Sequence, residues 1–209
     1  MIEAFIIIIL AYLIGGIPSG LLIGKYHGID IRTVGSCNVG ATNVTRCIGK
    51  KAGILCFLCD FLKGAVPVLL AAKFAALPWV QIAAFAAAVA GHMFPVYLKF
   101  KGGKGIAIAA GGAFAIAPLP LIIALALWYI VFRISRYVSL ASIVAAAVLP
   151  LSALVLFLFC DPVKSHWLLR VRLVTVIAFG IIGALAIYRH RSNILRLLNG
   201  TESRFEKKK

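Results

Sequence analysis

Acidic side chains are scarce in this sequence. Asp and Glu number 6 in 209 residues, against 22 Lys and Arg, and the net charge is +16. A zinc or magnesium hydrolase needs several Asp, Glu or His ligands close together. A proton pump needs buried carboxylates within its spans. Neither pattern is present, because only Asp30 and Asp60 precede the C-terminal tail on the side of the membrane assigned below, and Asp60 is the single acidic residue within an apolar run. The sequence also lacks internal repeats, heptads and strand-like alternation, and its one low-complexity stretch is Lys207-Lys208-Lys209. Cysteines are few and odd in number, five, in apolar settings, which argues against a disulfide framework. Cys56 and Cys59, in Ile54-Leu55-Cys56-Phe57-Leu58-Cys59, read as core- or lipid-facing residues rather than a redox pair.

Charge of either sign is missing from long stretches. Residues 4–24, 74–98, 105–132 and 137–160 contain no Asp, Glu, Lys or Arg. A helix needs about 20 apolar residues to cross the hydrocarbon, and each of these runs is that long. Residues 173–188 are a shorter run, and 52–72 is interrupted by Asp60 and Lys63. Mean hydropathy is +1.05 and 63% of residues are hydrophobic, far above a soluble domain. The sequence therefore predicts an all-α integral membrane protein with a single membrane domain over 1–209. The first run lacks a basic start and is too long for a removable signal peptide. In a soluble chain a charge of +16 would suggest nucleic acid. Here cytoplasmic loops and anionic membrane lipids account for it, with no nucleic-acid partner.

The distribution of positive charge selects a topology. If 105–132 crosses once, the two sides carry 11 and 10 Lys and Arg, which is no bias. If it enters and returns near Pro118-Leu119-Pro120, the sides carry 17 and 4, as the positive-inside rule requires. Twenty-eight residues cannot cross twice at full length. The stretch is therefore expected to form two short helices, broken at Gly111-Gly112 or at the prolines. Broken helices are tolerated where they line a protein-buried cavity. About seven helical segments follow, some short or broken, with the N-terminus outside and the C-terminus cytoplasmic. Residues 189–209 form a basic cytoplasmic tail that begins as a short amphipathic helix, with Ile194, Leu197 and Leu198 on one face.

This topology puts four polar clusters on one membrane face. The first is Gly35-Ser36-Cys37-Asn38-Val39-Gly40-Ala41-Thr42-Asn43-Val44-Thr45-Arg46, with hydroxyls and amides beside an Arg that can grip two phosphate oxygens. A turn followed by a helix cap is an equally good reading of those residues. The second is Gly91-His92-Met93-Phe94-Pro95 with Phe100-Lys101-Gly102-Gly103-Lys104-Gly105. Glycines beside lysines ahead of a helix suit an anion, although the spacing is not that of a Walker A loop; a flexible basic loop is the plainer alternative. The third, Arg136-Tyr137-Val138-Ser139-Leu140-Ala141-Ser142, has two serines on one helical face, or two hydroxyls bonding back to their own helix. The fourth is Tyr188-Arg189-His190-Arg191-Ser192-Asn193, which could equally be a basic stop-transfer segment. Together the clusters favour binding of multiply charged phosphate anions without a metal.

These motifs, with Asp60-Phe61-Leu62-Lys63-Gly64, closely resemble those of the bacterial acyl-phosphate:glycerol-3-phosphate acyltransferase family, in order, from about residue 10 to 202. The resemblance implies a seven-helix enzyme of the bacterial cytoplasmic (inner) membrane with its active site facing the cytoplasm. It implies transfer of a fatty acyl group from acyl phosphate to the 1-hydroxyl of glycerol 3-phosphate, giving 1-acyl-glycerol 3-phosphate and phosphate at the start of phospholipid synthesis. No cofactor is expected, and no metal, given the shortage of clustered carboxylates and histidines. By this resemblance Ser36, Arg46, Lys104 and Ser142 surround phosphate groups, and His190 and Asn193 position the glycerol part or the loop over it. Asn38, Thr42, Asn43, His92, Lys101, Gly102, Gly103 and Ser139 complete the expected substrate-binding set. Two positions depart from the pattern: Cys37, where the family often has Gly, and Ile108, where a Thr is expected. The competing class is an organophosphate or phosphate transporter, which shares basic sites and broken helices but places its substrate groups near the midplane. A basic membrane scaffold would leave the glycine-lysine loop unexplained.

Overall fold

In the computed structural model, which describes residues 2–75, 77, 79–160, 169 and 171–205, all regular structure is helical. Helix α1 (Ile2–Gly16) and helix α2 (Ser19–Tyr26) divide the first apolar run. The division falls at Pro18, which has no N–H to continue the helical ladder. A short α3 (Ala41–Cys47) precedes α4 (Lys50–Phe74), and α5 (Trp79–Met93) ends in a loop with one 3₁₀ turn at Val96–Leu98. Then come α6 (Ile106–Ile116), α7 (Pro118–Ser135), α8 (Val138–Phe159), α9 (Leu173–Arg189) and α10 (Arg191–Leu198).

Five stretches have the length and apolarity to cross a membrane: Ile2–Tyr26, Lys50–Phe74, Trp79–Leu98, Pro118–Ser135 and Val138–Phe159. Helices α9 and α10 form one apolar pair bent by 54°, and α6 is a shorter apolar helix. That makes seven apolar segments among the described residues, some short or broken as the sequence predicts. The run 105–132 does divide, and it divides at the prolines. Ala117 leaves helical geometry (φ −150°, ψ 85°) and Pro118 opens α7, the position a proline tolerates best. Gly111 and Gly112 lie inside α6.

The helices group into two compact units, Met1–Ile116 and Ala117–Lys209. In the first unit α1 packs on α5, and α4 packs on α6. Small residues make these contacts possible. A Cβ on Gly64 would collide with the Ile108 carbonyl, and one on Gly111 with the Phe61 carbonyl. Where lipid is as apolar as leucine, close backbone approach replaces hydrophobic collapse as the source of packing energy. The outward residues are large: Phe5, Ile9, Leu58, Leu69 and Phe74 are exposed, while Ala11, Ala84, Ala88 and Ala71 are buried. In the second unit α7 packs on α8 and α8 on α9, and Leu151, Leu158 and Phe159 face outward.

Helix α4 passes through its two charges without interruption. Lys63 Nζ lies 2.9 Å from Asp60 Oδ1, and both side chains are almost fully enclosed. A buried charge is tolerable when paired and hydrogen-bonded, so the interruption seen in the sequence is an internal ion pair, not a helix end.

Candidate active site

The first unit contains the clusters around Ser36 and Lys104. Asn43 is 1% exposed and spends its amide on the preceding loop. Its Nδ2 donates to the Ile31 carbonyl (2.8 Å) and the Val34 carbonyl (3.1 Å), and its Oδ1 accepts the Ser36 N–H (2.8 Å). The Cys47 thiol also points at that Oδ1, at 3.6 Å. Asn43 thus sets the place of Ser36 from α3 and is a positioning residue for it. Thr42 and Arg46, four apart on α3, are half-buried and share a helix face. Asn38 and Ser36 are half-buried on the loop.

Cys37 has φ +56°. Left-handed backbone disfavours any residue with a Cβ, so the residue that departs from the family pattern sits where glycine is the unstrained choice. Asp30 and Arg32, earlier on this loop, form an exposed two-pronged ion pair, with Arg32 Nη2 2.6 Å from Asp30 Oδ2. The hydrogen bonds from Arg32 hold the Asp30 carboxyl down to about 2.

The second loop is tied to the end of α5. Gly103 N–H donates to the His92 carbonyl (3.1 Å), Gly102 N–H to the Met93 carbonyl (3.2 Å) and Phe100 N–H to the Pro95 carbonyl (2.9 Å). Lys99 and Phe100 are both left-handed, at φ +50° and +62°. Left-handed non-glycine residues often mark functional sites, and all four in the described chain lie in or beside the polar clusters: Cys37, Lys99, Phe100 and Arg136. Lys101 is exposed and Lys104 half-buried. Helix α6 begins at Ile106, and Gly105 before it is left-handed at φ +82°. Ile108, the other departure from the family pattern, is fully buried, beneath the α4–α6 contact.

A cavity of about 10 Å³ joins the two loops to the break between α1 and α2. Gly16, Ile17, Pro18, Ser19, Val39, Asp60, His92, Pro95, Leu98 and Gly102 line it. The His92 Nδ1 is 4.0 Å from Asp60 Oδ1, so His92 has a carboxylate beside it, which sequence reasoning did not find.

The second unit holds Ser139, Ser142, His190 and Asn193, all buried. Glu202, from the polar tail, connects two of them, Ser139 and Asn193. Glu202 is 7% exposed. Its Oε1 accepts Ser139 Oγ–H and Asn193 Nδ2–H, both at 2.7 Å, and its Oε2 accepts Arg196 Nε–H at 2.8 Å. Burial alone would raise the Glu202 pKa; the three hydrogen bonds and the Arg196 charge outweigh it and hold the group below its usual value. Residues 201–205 fold back with it. Phe205 N–H donates to the Arg136 carbonyl (3.0 Å), and Arg204 Nε to Tyr137 Oη (2.8 Å). The only hint in the sequence was that Glu202 is the first of two acidic residues in a basic tail, close after Arg196.

Ser139 and Ser142 bond outside their own helix, whereas Ser152 of α8 donates back to the Leu149 carbonyl at 3.0 Å. Ser139 binds Glu202, and Ser142 Oγ accepts Trp128 Nε1–H at 3.2 Å. His190 Nδ1 is 2.7 Å from the Ala186 carbonyl. A carbonyl only accepts, so Nδ1 carries hydrogen and Nε2 is the acceptor of the neutral ring. Among the described residues no three His, Cys, Asp or Glu are grouped to hold a metal ion.

The family described as Glycerol-3-phosphate acyltransferase matches residues 5–200. The glycerol-3-phosphate acyltransferase of Aquifex aeolicus is 48% identical over 204 residues, covering 97% of this chain and all of the relative. That of Trichlorobacter lovleyi is 48% identical over 200 residues, covering 94% of each chain. The crystal structure of PlsY (YgiH), an integral membrane glycerol 3-phosphate acyltransferase, in its glycerol 3-phosphate form superposes with a TM-score of 0.87 at 45% identity, over 98% of this chain and 96% of that one. Its lysophosphatidic acid form gives 0.85 at 44%, with the same coverage. The chain is a multi-pass integral membrane acyltransferase, and it belongs to the glycerol-3-phosphate acyltransferase family.

Proposed function

We propose that this enzyme transfers a fatty acyl group from acyl phosphate to the 1-hydroxyl of glycerol 3-phosphate, releasing 1-acyl-glycerol 3-phosphate and inorganic phosphate. The observation that carries the reading is the family match across 5–200, joined to ordered polar clusters rich in Lys, Arg, Ser and Asn and poor in carboxylates. Family membership also favours the enzyme over the transporter.

Acyl phosphate is a mixed anhydride, so its leaving group needs little activation. The hydroxyl oxygen attacks the acyl carbonyl carbon, the bond from that carbon to the phosphate oxygen breaks, and phosphate departs. The protein's task is to hold two anions together and stabilise developing charge. Ser36, Arg46 and Lys104 are the proposed phosphate ligands of the first unit, with Asn38, Thr42 and Lys101 in support; the Gly102 and Gly103 N–H groups are spent on the end of α5 and shape the loop instead. Ser142, His190 and Asn193 are the proposed substrate contacts of the second. A phosphate oxygen of the substrate takes the hydroxyl proton. Lys and Arg supply the positive charge, so turnover is expected to persist in EDTA.

The chain functions as one membrane domain over 1–209, in the bacterial inner membrane, with the N-terminus outside and the four clusters cytoplasmic. The 17-to-4 division of positive charge supports that orientation. The deciding experiment is synthesis of 1-acyl-glycerol 3-phosphate by purified protein from palmitoyl phosphate and glycerol 3-phosphate. Equal turnover with acyl-CoA and none with acyl phosphate would refute the proposal.

A further inference from the structure

Three groups with no part in the proposed chemistry lie together in the first unit. Lys63 on α4 donates to the Ile17 carbonyl and to Ser19 Oγ, at the break between α1 and α2, and to Asp60 Oδ1 at 2.9 Å. Asp60 in turn lies 4.0 Å from His92 Nδ1. The side chains of Asp60, Lys63 and His92 are 3%, 9% and 10% exposed. The roughly 10 Å³ cavity beside them opens onto Ser19, Asp60, His92 and Gly102. That is about the room one water needs, with the polar partners a buried water requires. A polar gap of 4 Å is the span a bridging water closes.

On its far side the His92 ring is the surface against which the glycine loop is laid. A Cβ on Gly103 would collide with the ring, and one on Gly102 with the His92 carbonyl. The residue after Gly103 is Lys104. The order of contacts is therefore Lys63, Asp60, His92, Gly103, Lys104, running from the middle of α4 to the basic loop.

We infer that Asp60 and Lys63 are positioning residues for Lys104: a neutral buried pair that fixes His92, directly and through one water, so that its ring sets the Gly102–Gly103 backbone and the lysine that follows. The pair's charge is also what stitches α4 to the break at Pro18. Removing one charge strands the other in a low-dielectric interior, which destabilises whatever the functional role. Removing both avoids that penalty and separates the two effects. This inference rests on the reading that Lys104 acts in the site.

The test compares Asp60→Asn, the double variant Asp60→Asn/Lys63→Met, His92→Asn and Lys104→Ala, by melting temperature in detergent and by kcat and KM for glycerol 3-phosphate. The single Asp60→Asn should melt lower than wild type, and the double variant should recover most of that loss. Its kcat should nevertheless stay down about tenfold to a hundredfold, the scale set by small misplacement of a catalytic group, with KM changed much less. His92→Asn, which leaves the ion pair whole, should show the same loss of kcat. In a Lys104→Ala background, Asp60→Asn/Lys63→Met should add almost nothing to the loss, because residues acting through one group are not additive. Recovery of kcat together with melting temperature in the double variant, or normal kcat in folded His92→Asn, would overturn the inference. Normal turnover in Lys104→Ala would instead refute the site reading beneath it.

Discussion

Asn193 Nδ2 and Glu202 Oε1 are 2.7 Å apart, and the same carboxylate oxygen accepts the Ser139 hydroxyl. One residue of the C-terminal segment therefore fixes a proposed substrate contact on α10 and the first turn of α8 together. Because the Glu202 pKa is held below its usual value, its contribution to stability is present above the ordinary glutamate pKa and is lost as pH falls through the folded value. The melting temperature of the wild type should therefore fall on acidification below the ordinary carboxylate range. Glu202→Gln should melt lower at neutral pH, by about 1.5–3 kcal/mol for the lost charge-assisted bonds, and should show a shallower pH dependence in that window. An acid slope equal to that of the wild type would show that the carboxylate is not the titrating group.

Asn43 holds Ser36 by three hydrogen bonds to the loop before it. Asn43→Ala removes the acceptor of the Ser36 N–H and should destabilise by about 1–3 kcal/mol, with a fall in kcat of tenfold or more from displacement of Ser36. Asn43→Asp keeps the acceptor and loses the two donors, so its kcat should lie between alanine and wild type. Thermal melts and steady-state rates on the two variants decide this.

Cys37→Gly should be stabilising. The left-handed backbone at φ +56° costs a residue with a Cβ roughly 1–2 kcal/mol, and glycine's greater freedom in the unfolded chain returns part of it. A net gain of up to about 1 kcal/mol is expected, seen as a higher melting temperature with unchanged turnover. A lower melting temperature would mean that the thiol makes a contact worth more than the strain.

Lys104→Ala should reduce kcat about 10²–10³-fold, the usual loss on removing one group that stabilises transition-state charge, while the protein remains inserted, because Lys99 and Lys101 keep the loop basic. Lys104→Arg should be partly active, since a planar guanidinium does not replace a compact ammonium. The rate is measured with palmitoyl phosphate at saturating glycerol 3-phosphate.

Orientation is checked by labelling. Cysteine probes at Arg136 and Arg191, in a background without the native cysteines, should react with an impermeant reagent from the cytoplasmic side only. A probe at Lys73 should react from the outside. Labelling of Arg136 from the outside would restore a single crossing for 105–132 and remove the charge argument.

The membrane character, the helical class and the division of 105–132 were legible in the sequence for one physical reason. A helix that crosses hydrocarbon needs about 20 apolar residues, so length and charge density show directly where the spans lie. The polar clusters were legible because glycine, lysine and serine are conspicuous against such a background. The bend at Pro18 was written there as well, but the run 4–24 reads as one span because its apolarity continues through the proline.

What the sequence could not determine is which polar group meets which. Asn43 reads as a ligand and is spent on the loop that holds Ser36. Asp60 and Lys63 read as an interruption of a span and prove to be its internal ion pair. Glu202, the first of two acidic residues in a basic tail, proves to be the buried link between Ser139, Asn193 and Arg196. Composition and periodicity decided the bilayer, the helices and the excess of positive charge, because those depend only on how each segment meets its solvent. Hydrogen-bond partnership depends on residues up to 82 positions apart coming within 3 Å, and only the packing of the helices could decide that.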